Sequence, residues 1–366
     1  MNLTYKHQNS SFSVSVSEIE NKDLRKKIDL ALRDVFKGFI MSEDKEVAME
    51  FAFTDNIERF IKDAEFVRIK DIKVGDNQTH FKDNELNFLI DNLNPFKVIV
   101  NVVDNETFKS SLRIFNKAYK TNIELQITTF YYRIFLLFSQ LWNLENNCSY
   151  IHASAVEVNG RSILFTADSG VGKSALLFQL SQDKDFKFIA DDLTIISAAE
   201  SFFQGRCLSV KPYHLKYYSF LAEKLKVVMG SIQKLQWKII NDNRLTYRIS
   251  PTDIFDNTCD KSEIKSIIHL CNHSKDTFEI KNISSDELIS FTIPILTNEL
   301  FLANHKLDTV ASLPNSPFQS TDKMYTASKN IFSSAFKDVE LRLVLVPYQS
   351  SPIELFNFLK QEGCLN

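Results

Sequence analysis

A chain of 366 residues, 44% hydrophobic and 24% charged, has an ordinary globular composition and is long enough for two domains or one large domain with an appendage. Its formal charge of −3 gives no reason to expect nucleic acid or an anionic membrane as partner. Five scattered cysteines (Cys148, Cys207, Cys259, Cys271, Cys364) form no Cys-x-x-Cys pair and read as reduced thiols rather than a disulfide framework.

In chain order, Met1 to Asn9 lacks an apolar signal core, and Phe12 to Val16 alternates like a strand. Leu24, Ile28, Ala31, Leu32, Val35 and Phe36 recur at helical spacing, with Gly38 as a stop signal. Met49–Phe53 and Val98–Val103 read as strands, and the polar stretch from Asp71 to Lys82 reads as a loop. From Thr128 to Leu144 the pattern is helical and very apolar, predicting a helix buried against a sheet. Tyr131 to Phe138 is the most lipid-like run, but it is short and holds Arg133; no stretch approaches the roughly 20 apolar residues of a membrane span. A cytoplasmic protein is expected. The 31 phenylalanines read as compositional drift rather than as a functional signal.

Two strand-like runs, Ile151–Val158 and Arg161–Phe165, flank Asn159-Gly160, whose residues tolerate positive φ and so predict a tight hairpin. The second run feeds into Ala167-Asp168-Ser169-Gly170-Val171-Gly172-Lys173-Ser174, and a short helix is predicted over Lys173–Leu180. Strand, glycine loop, Lys-Ser and helix together make a phosphate cradle: loop amides turn inward, the lysine reaches the terminal phosphates and the serine hydroxyl ligates Mg²⁺. The full pattern asks for glycine where this chain has Ala167. A further strand, Phe186–Ala190, ends in Asp191-Asp192, a carboxylate pair placed to serve metal and acceptor. Strands are expected over Ser266–Leu270 and Leu341–Val346, and helices over Ser285–Ser290 and Ile353–Lys360.

Competing motifs are weaker. His269-x-Cys271-x-His273 could face one side of a strand, but no fourth ligand lies at suitable spacing. Arg206, Arg244 and Arg248 could each supply a guanidinium for phosphoryl transfer, and the sequence does not choose among them.

His152, Asn159-Gly160, Asp168 to Ser174 and Ala190-Asp191-Asp192 occur in the same order in HPr kinase/phosphorylase, and the stretch resembles the wider HPr-kinase-like group, which includes serine kinases of lasso-peptide clusters. The resemblance covers roughly Tyr150 to Ser197. It implies an α/β fold: a mixed-sheet P-loop kinase core similar to that of HPr kinase and phosphoenolpyruvate carboxykinase, over residues 121–366, preceded by an N-terminal α+β region over 1–120. By the same resemblance His152 assists at the active site and Asp192 acts as base toward a seryl hydroxyl. Lys173 and the loop Asp168, Ser169, Gly170, Val171, Gly172 would hold ATP, and Ser174 with Asp191 would hold Mg²⁺. No equivalent of an Arg-Gly-Leu-Gly signature follows the Asp pair, which argues against phosphorylase activity and against HPr as the substrate.

The reading is an ATP- and Mg²⁺-dependent kinase acting on a serine of a peptide or protein, with neither nucleic acid nor membrane as partner. A small-molecule hydroxyl is the alternative acceptor, and a catalytically silent nucleotide-binding regulator is the alternative of another class. The resemblance also brings homo-oligomers into view without fixing a number.

Overall fold

The computed structural model describes residues 2–63, 65–82, 86–92, 94–104, 121–231, 234–235, 237, 246–304 and 306–365. The chain forms two compact units, 1–146 with 297–327, and 147–296 with 328–366. The sequence reading drew its line after residue 120.

The first unit is built on an eight-stranded sheet. Its strands are β1 (Asn2–His7), β2 (Ser10–Ser15), β3 (Met49–Thr54), β4 (Val67–Ile69), β5 (Ile72–Val74), β6 (Gln78–Lys82), β7 (Asn87–Asp91) and β8 (Asn94–Asn101). They lie in the order β1-β2-β3-β8-β7-β6-β5-β4, with β2, β3 and β8 parallel and the remaining pairs antiparallel. Helix α1 (Lys22–Val35) buries Leu24, Ile28, Ala31, Leu32 and Val35, the stripe that the 3.6-residue spacing predicts. Asn21 caps it by accepting from the amides of Asp23 and Leu24.

The expected helix over 128–144 is α2 (Asn122–Phe130), one π-helical turn (Tyr131–Phe135) and α3 (Leu136–Glu145) in series. It is buried against the sheet as expected: Phe130 meets Phe53 and Phe135 meets Phe12, each with ring centroids 4.9 Å apart. The phenylalanines thus supply apolar area, each fully buried ring contributing roughly 2–3 kcal/mol.

The stretch read as a loop over 71–82 forms β5 and β6 instead. Polar side chains there are satisfied by neighbouring segments: Gln78 Nε2 donates to Phe60 O at 2.9 Å, and Thr79 Oγ1 to Asn92 Oδ1 at 2.8 Å. A buried polar group with a partner costs little, so a polar stretch can run as strand.

The second unit carries a nine-stranded mixed sheet. It comprises β9 (Ser149–Ile151), β10 (Ala153–Val158), β11 (Arg161–Ala167), β12 (Lys187–Ala190), β13 (Thr194–Ile196) and β14 (Glu200–Phe202), with β17 (Lys261–His273), β18 (Glu279–Asn282) and β19 (Glu340–Pro347). Strands β15 (Leu208–Val210) and β16 (Tyr247–Ile249) form a separate antiparallel ribbon. The predicted hairpin joins β10 to β11, with Asn159 at φ 54° and Gly160 at φ 81°. Parallel to β11 runs β17, which is also parallel to β19, while β12 lies antiparallel beside β10.

Helix α4 (Lys173–Leu180) has the predicted bounds and buries Ala175, Leu176, Leu177, Phe178 and Leu180. Being apolar nearly all round, it needs cover on more than one face. Phe165, Phe188 and Ile268 join it in one core, together with Leu355 and Leu359 of the C-terminal helix Pro352–Gln361. That packing fixes the start of α4 at the end of β11.

All five cysteines are free thiols. Among the described residues no helix is long and apolar enough to cross a membrane.

Candidate active site

Strand β11 ends at Ala167, where the chain is still extended, so alanine fits the position that the full motif gives to glycine. The five-residue loop Asp168–Gly172 then turns into α4. Gly170 and Gly172 sit at φ 91° and 111°, and a Cβ built on either would meet nothing within 4 Å. Torsion, not space, selects glycine at these two positions. Asp168 steadies the turn by accepting from the Ser169 amide at 2.7 Å.

The first two residues of α4 face inward. Lys173 is buried, and its Nζ donates to Ala167 O at 2.8 Å, Asp168 O at 3.2 Å and His152 Nε2 at 2.8 Å. Ser174 Oγ donates to Asp191 Oδ1 at 3.1 Å, and Ser154 Oγ donates to the same oxygen at 2.7 Å. Asp191 arrives there because β12 pairs with β10 in a register that sets Ala190 opposite Ala155.

At Asp192 the chain turns sharply, with φ 70° and the Leu193 amide bonded to Asp191 O at 2.8 Å. Aspartate is among the few non-glycine residues that tolerate this region. The turn sends the two carboxylates apart. Asp192 Oδ2 pairs with Arg206 Nη1, and its Oδ1 lies 3.8 Å from His152 Nε2.

Electrostatics separate the groups. Burial, with the charges of Lys173 and Arg206, lowers His152 to about 4. The ring is therefore neutral, accepts from Lys173 at Nε2 and carries its proton on Nδ1; its contact with Asp192 is not an ion pair. Burial and the neighbouring Asp192 raise Asp191, against the two hydroxyl bonds and Arg206. For Asp192 burial also pushes upward, but the Arg206 guanidinium, with Lys173 and Lys211, outweighs it and holds the carboxyl below its usual range. Of the pair, Asp191 is 3% exposed and Asp192 retains 29% of its side-chain surface.

The structure thus gathers His152, Lys173, Ser174, Asp191 and Asp192 into one cluster under the loop Asp168, Ser169, Gly170, Val171, Gly172. Among the three arginines weighed in the sequence, Arg206 joins it. Arg248 lies on β16 opposite Ser209, and Arg244 lies outside the described residues. His269 is buried, 2.9 Å from Thr166 Oγ1 through Nδ1, and its ring stacks on Phe291 at 4.9 Å. Cys271 is exposed, and among the described residues the alternating trio does not bring its ligand atoms close enough to share a metal.

Sequence reasoning missed Ser154, which lies two residues after His152 at the start of β10 and is buried like it. Nothing local marks Arg206: its segment is pinned by the Gln204 amide on Ile189 O at 3.0 Å, and by the Arg206 amide on Gln204 Oε1 at 2.7 Å.

No protein-family model matches the chain, and no curated protein matches it. Among solved structures it is similar to the Hpr(Ser) kinase/phosphatase from Coxiella burnetii, at 11% identity and a TM-score of 0.27, over 59% of this chain and 97% of that one. A likeness of that size decides neither fold nor function, and the chemistry below rests on this chain's own residues.

Proposed function

We propose that this protein is an ATP-dependent kinase that transfers the γ-phosphate to a hydroxyl, that of a serine of a peptide or protein, on a P-loop core of the HPr-kinase-like kind. The observation that carries the reading is the convergence of Lys173 and Ser174, adjacent at the start of α4, on His152 at 2.8 Å and Asp191 at 3.1 Å. A glycine turn before a buried lysine, beside two carboxylates at a strand end, is an arrangement suited to a triphosphate.

In this reading the amides of Ser169 to Lys173 hold the phosphates. Lys173 exchanges its carbonyl partners for phosphate oxygens and offsets charge on the β–γ bridge. His152, neutral and buried, keeps the ammonium aimed at that position. Asp192 is the base because it is the exposed member of the pair. The acceptor oxygen bonds to the γ-phosphorus as the bond to the β–γ bridging oxygen breaks. The hydroxyl proton passes to Asp192, and the electron pair leaves with ADP.

The donor set fits Mg²⁺: Asp191 is a buried carboxylate whose hydrogen-bond partners among the described residues are hydroxyls, and Ser174 adds another hard oxygen. A magnesium ion bound there would supply charge neutralisation for the phosphates.

One observation favours the silent-regulator alternative, the ion pair that already occupies Asp192. Incubating the protein with Mg-ATP and either serine peptides or small hydroxyl compounds, then weighing the products, separates the readings. Phosphate gain on a peptide supports the proposal, gain only on a small molecule changes the acceptor, and binding without transfer under all conditions leaves a regulator.

A further inference from the structure

We propose that Arg206 is a two-position guanidinium, paired with Asp192 in the nucleotide-free protein and transferred to the γ-phosphate when a triphosphate binds. This deepens the kinase reading and rests on it. Three observations carry it.

First, a short relay links the arginine to the phosphate lysine. Arg206 meets Asp192 Oδ2, the other oxygen of that carboxylate lies 3.8 Å from His152 Nε2, and His152 lies 2.8 Å from Lys173 Nζ. Cation and lysine therefore stand at the two ends of the Asp192–His152 contact.

Second, the backbone under Arg206 is anchored while its side chain is partly exposed. Gln204 is buried and bonded at both ends, to Ile189 O through its amide and to the Arg206 amide through its side chain. The arginine side chain keeps 19% of its surface exposed. A side chain on a fixed root can change partner by rotation about its own bonds, without moving the sheet.

Third, charge favours the exchange. A carboxylate offers one negative charge, and a γ-phosphate offers more charge while still presenting a pair of oxygens to the guanidinium fork. Lys211 also acts on Asp192 electrostatically, so the carboxylate keeps a cation nearby after Arg206 leaves. The oxygen that Arg206 vacates, Oδ2, is then the atom that receives the acceptor's proton. One group thereby holds the base in reserve and later stabilises the transferring phosphoryl, so that Asp192 is released only when there is phosphate to transfer.

Affinity measurements on the full chain test this without the acceptor. Calorimetric titration with Mg-ADP and with the Mg complex of a non-hydrolysable ATP analogue is run on wild type, Arg206→Gln and Asp192→Asn. Arg206→Gln is expected to weaken the triphosphate analogue by about ten- to a hundredfold, the scale of a lost charge-assisted bond, with ADP affinity within about threefold. Asp192→Asn frees the guanidinium and is expected to tighten the analogue several-fold relative to ADP. Should Arg206→Gln unfold, Arg206→Lys keeps the charge, loses the fork and is expected to give an intermediate loss. Equal weakening of both nucleotides, or an unchanged ratio in both variants, means a fixed structural pair and overturns the switch alone. A wild-type chain that binds neither nucleotide overturns the kinase reading itself.

Discussion

The two units bury polar groups in different ways. In the first, every buried polar side chain among the described residues is uncharged or a histidine. His7 meets Asn143 at 3.0 Å, Thr79 meets Asn92 at 2.8 Å and His80 meets Asn87 at 2.6 Å. In the second, buried groups include Glu157, Lys173 and Asp191, and two of these three flank the glycine loop. Buried charge is costly unless paired, so a fold that needs only stability avoids it. One unit spends its interior on packing and the other concentrates charge at one end of its sheet, which is where perturbed groups mark chemistry.

The strongest blow to that contrast falls on the first unit. Phe135 is fully buried and touches the rings of Phe12, Phe36, Phe39, Phe51 and Tyr131. Phe135→Ala is expected to lower stability by about 4 kcal/mol in denaturant unfolding, with Mg-ATP affinity of the folded fraction unchanged. Loss of nucleotide binding in protein that remains folded would erase the division of labour.

The corresponding blow to the second unit is chemical. Lys173→Ala is expected to cut phosphoryl transfer roughly a thousandfold, read as phosphate gain by mass. Asp192→Asn should cost about a hundredfold, the lower end of the range for loss of a general base. Undiminished turnover in Asp192→Asn would move the base to Asp191 or remove it.

How much of this was readable beforehand follows the same division. The hairpin at Asn159-Gly160, the bounds of α4 and the strand before Asp191 were legible because each is set by local torsion or period. Residues 71–82 were misread because their strands are held by distant partners: Asp63 accepts from the Gln78 amide at 2.9 Å, and Gln78 Oε1 accepts from the Lys62 amide at 2.7 Å. Within the site, Lys173, Ser174 and both aspartates announced themselves by motif, whereas Ser154 and Arg206 enter through sheet register and a pinned connection. The division into units was not legible either, since residues 297–327 belong with the N-terminal sheet by contact and not by order.

Acid separates the units further. Burial lowers His7 in the first unit, and His152, His214 and His269 in the second, each to about 4. An unfolded histidine titrates near 6.5, so between about pH 6.5 and 4 the unfolded chain binds the extra protons and stability falls as pH falls. Each ring contributes about 3 kcal/mol over that window. Asp191, raised by burial, works in the opposite sense, regaining stability as pH drops through its raised value toward 3.8. With three lowered rings against two, since burial also lowers His80 in the first unit, hydrogen exchange in the second unit is expected to accelerate more between pH 6.5 and 4.5. Equal acceleration would mean that the buried imidazoles are better compensated than their partners indicate.

The smallest effect gives the most closely matched comparison, between a capping box in the first unit and one in the second. Thr121 Oγ1 accepts from the Glu124 amide at 3.1 Å while Glu124 accepts from the Thr121 amide at 2.5 Å. Ser351 and Glu354 repeat the exchange at 3.2 and 2.6 Å. Removing either hydroxyl, Thr121→Ala or Ser351→Ala, is expected to cost about 1 kcal/mol. The consequences should differ, because the helix capped by Ser351 packs on α4. Fraying there loosens the support beneath Lys173 and Ser174, so Ser351→Ala should reduce exchange protection in α4 and weaken Mg-ATP binding about two- to threefold, a fraction of the cap's own free energy. Thr121→Ala carries the same cap energy without that lever, and its nucleotide affinity should match wild type. If both variants weaken binding equally, the C-terminal helix is not what holds the phosphate loop in place.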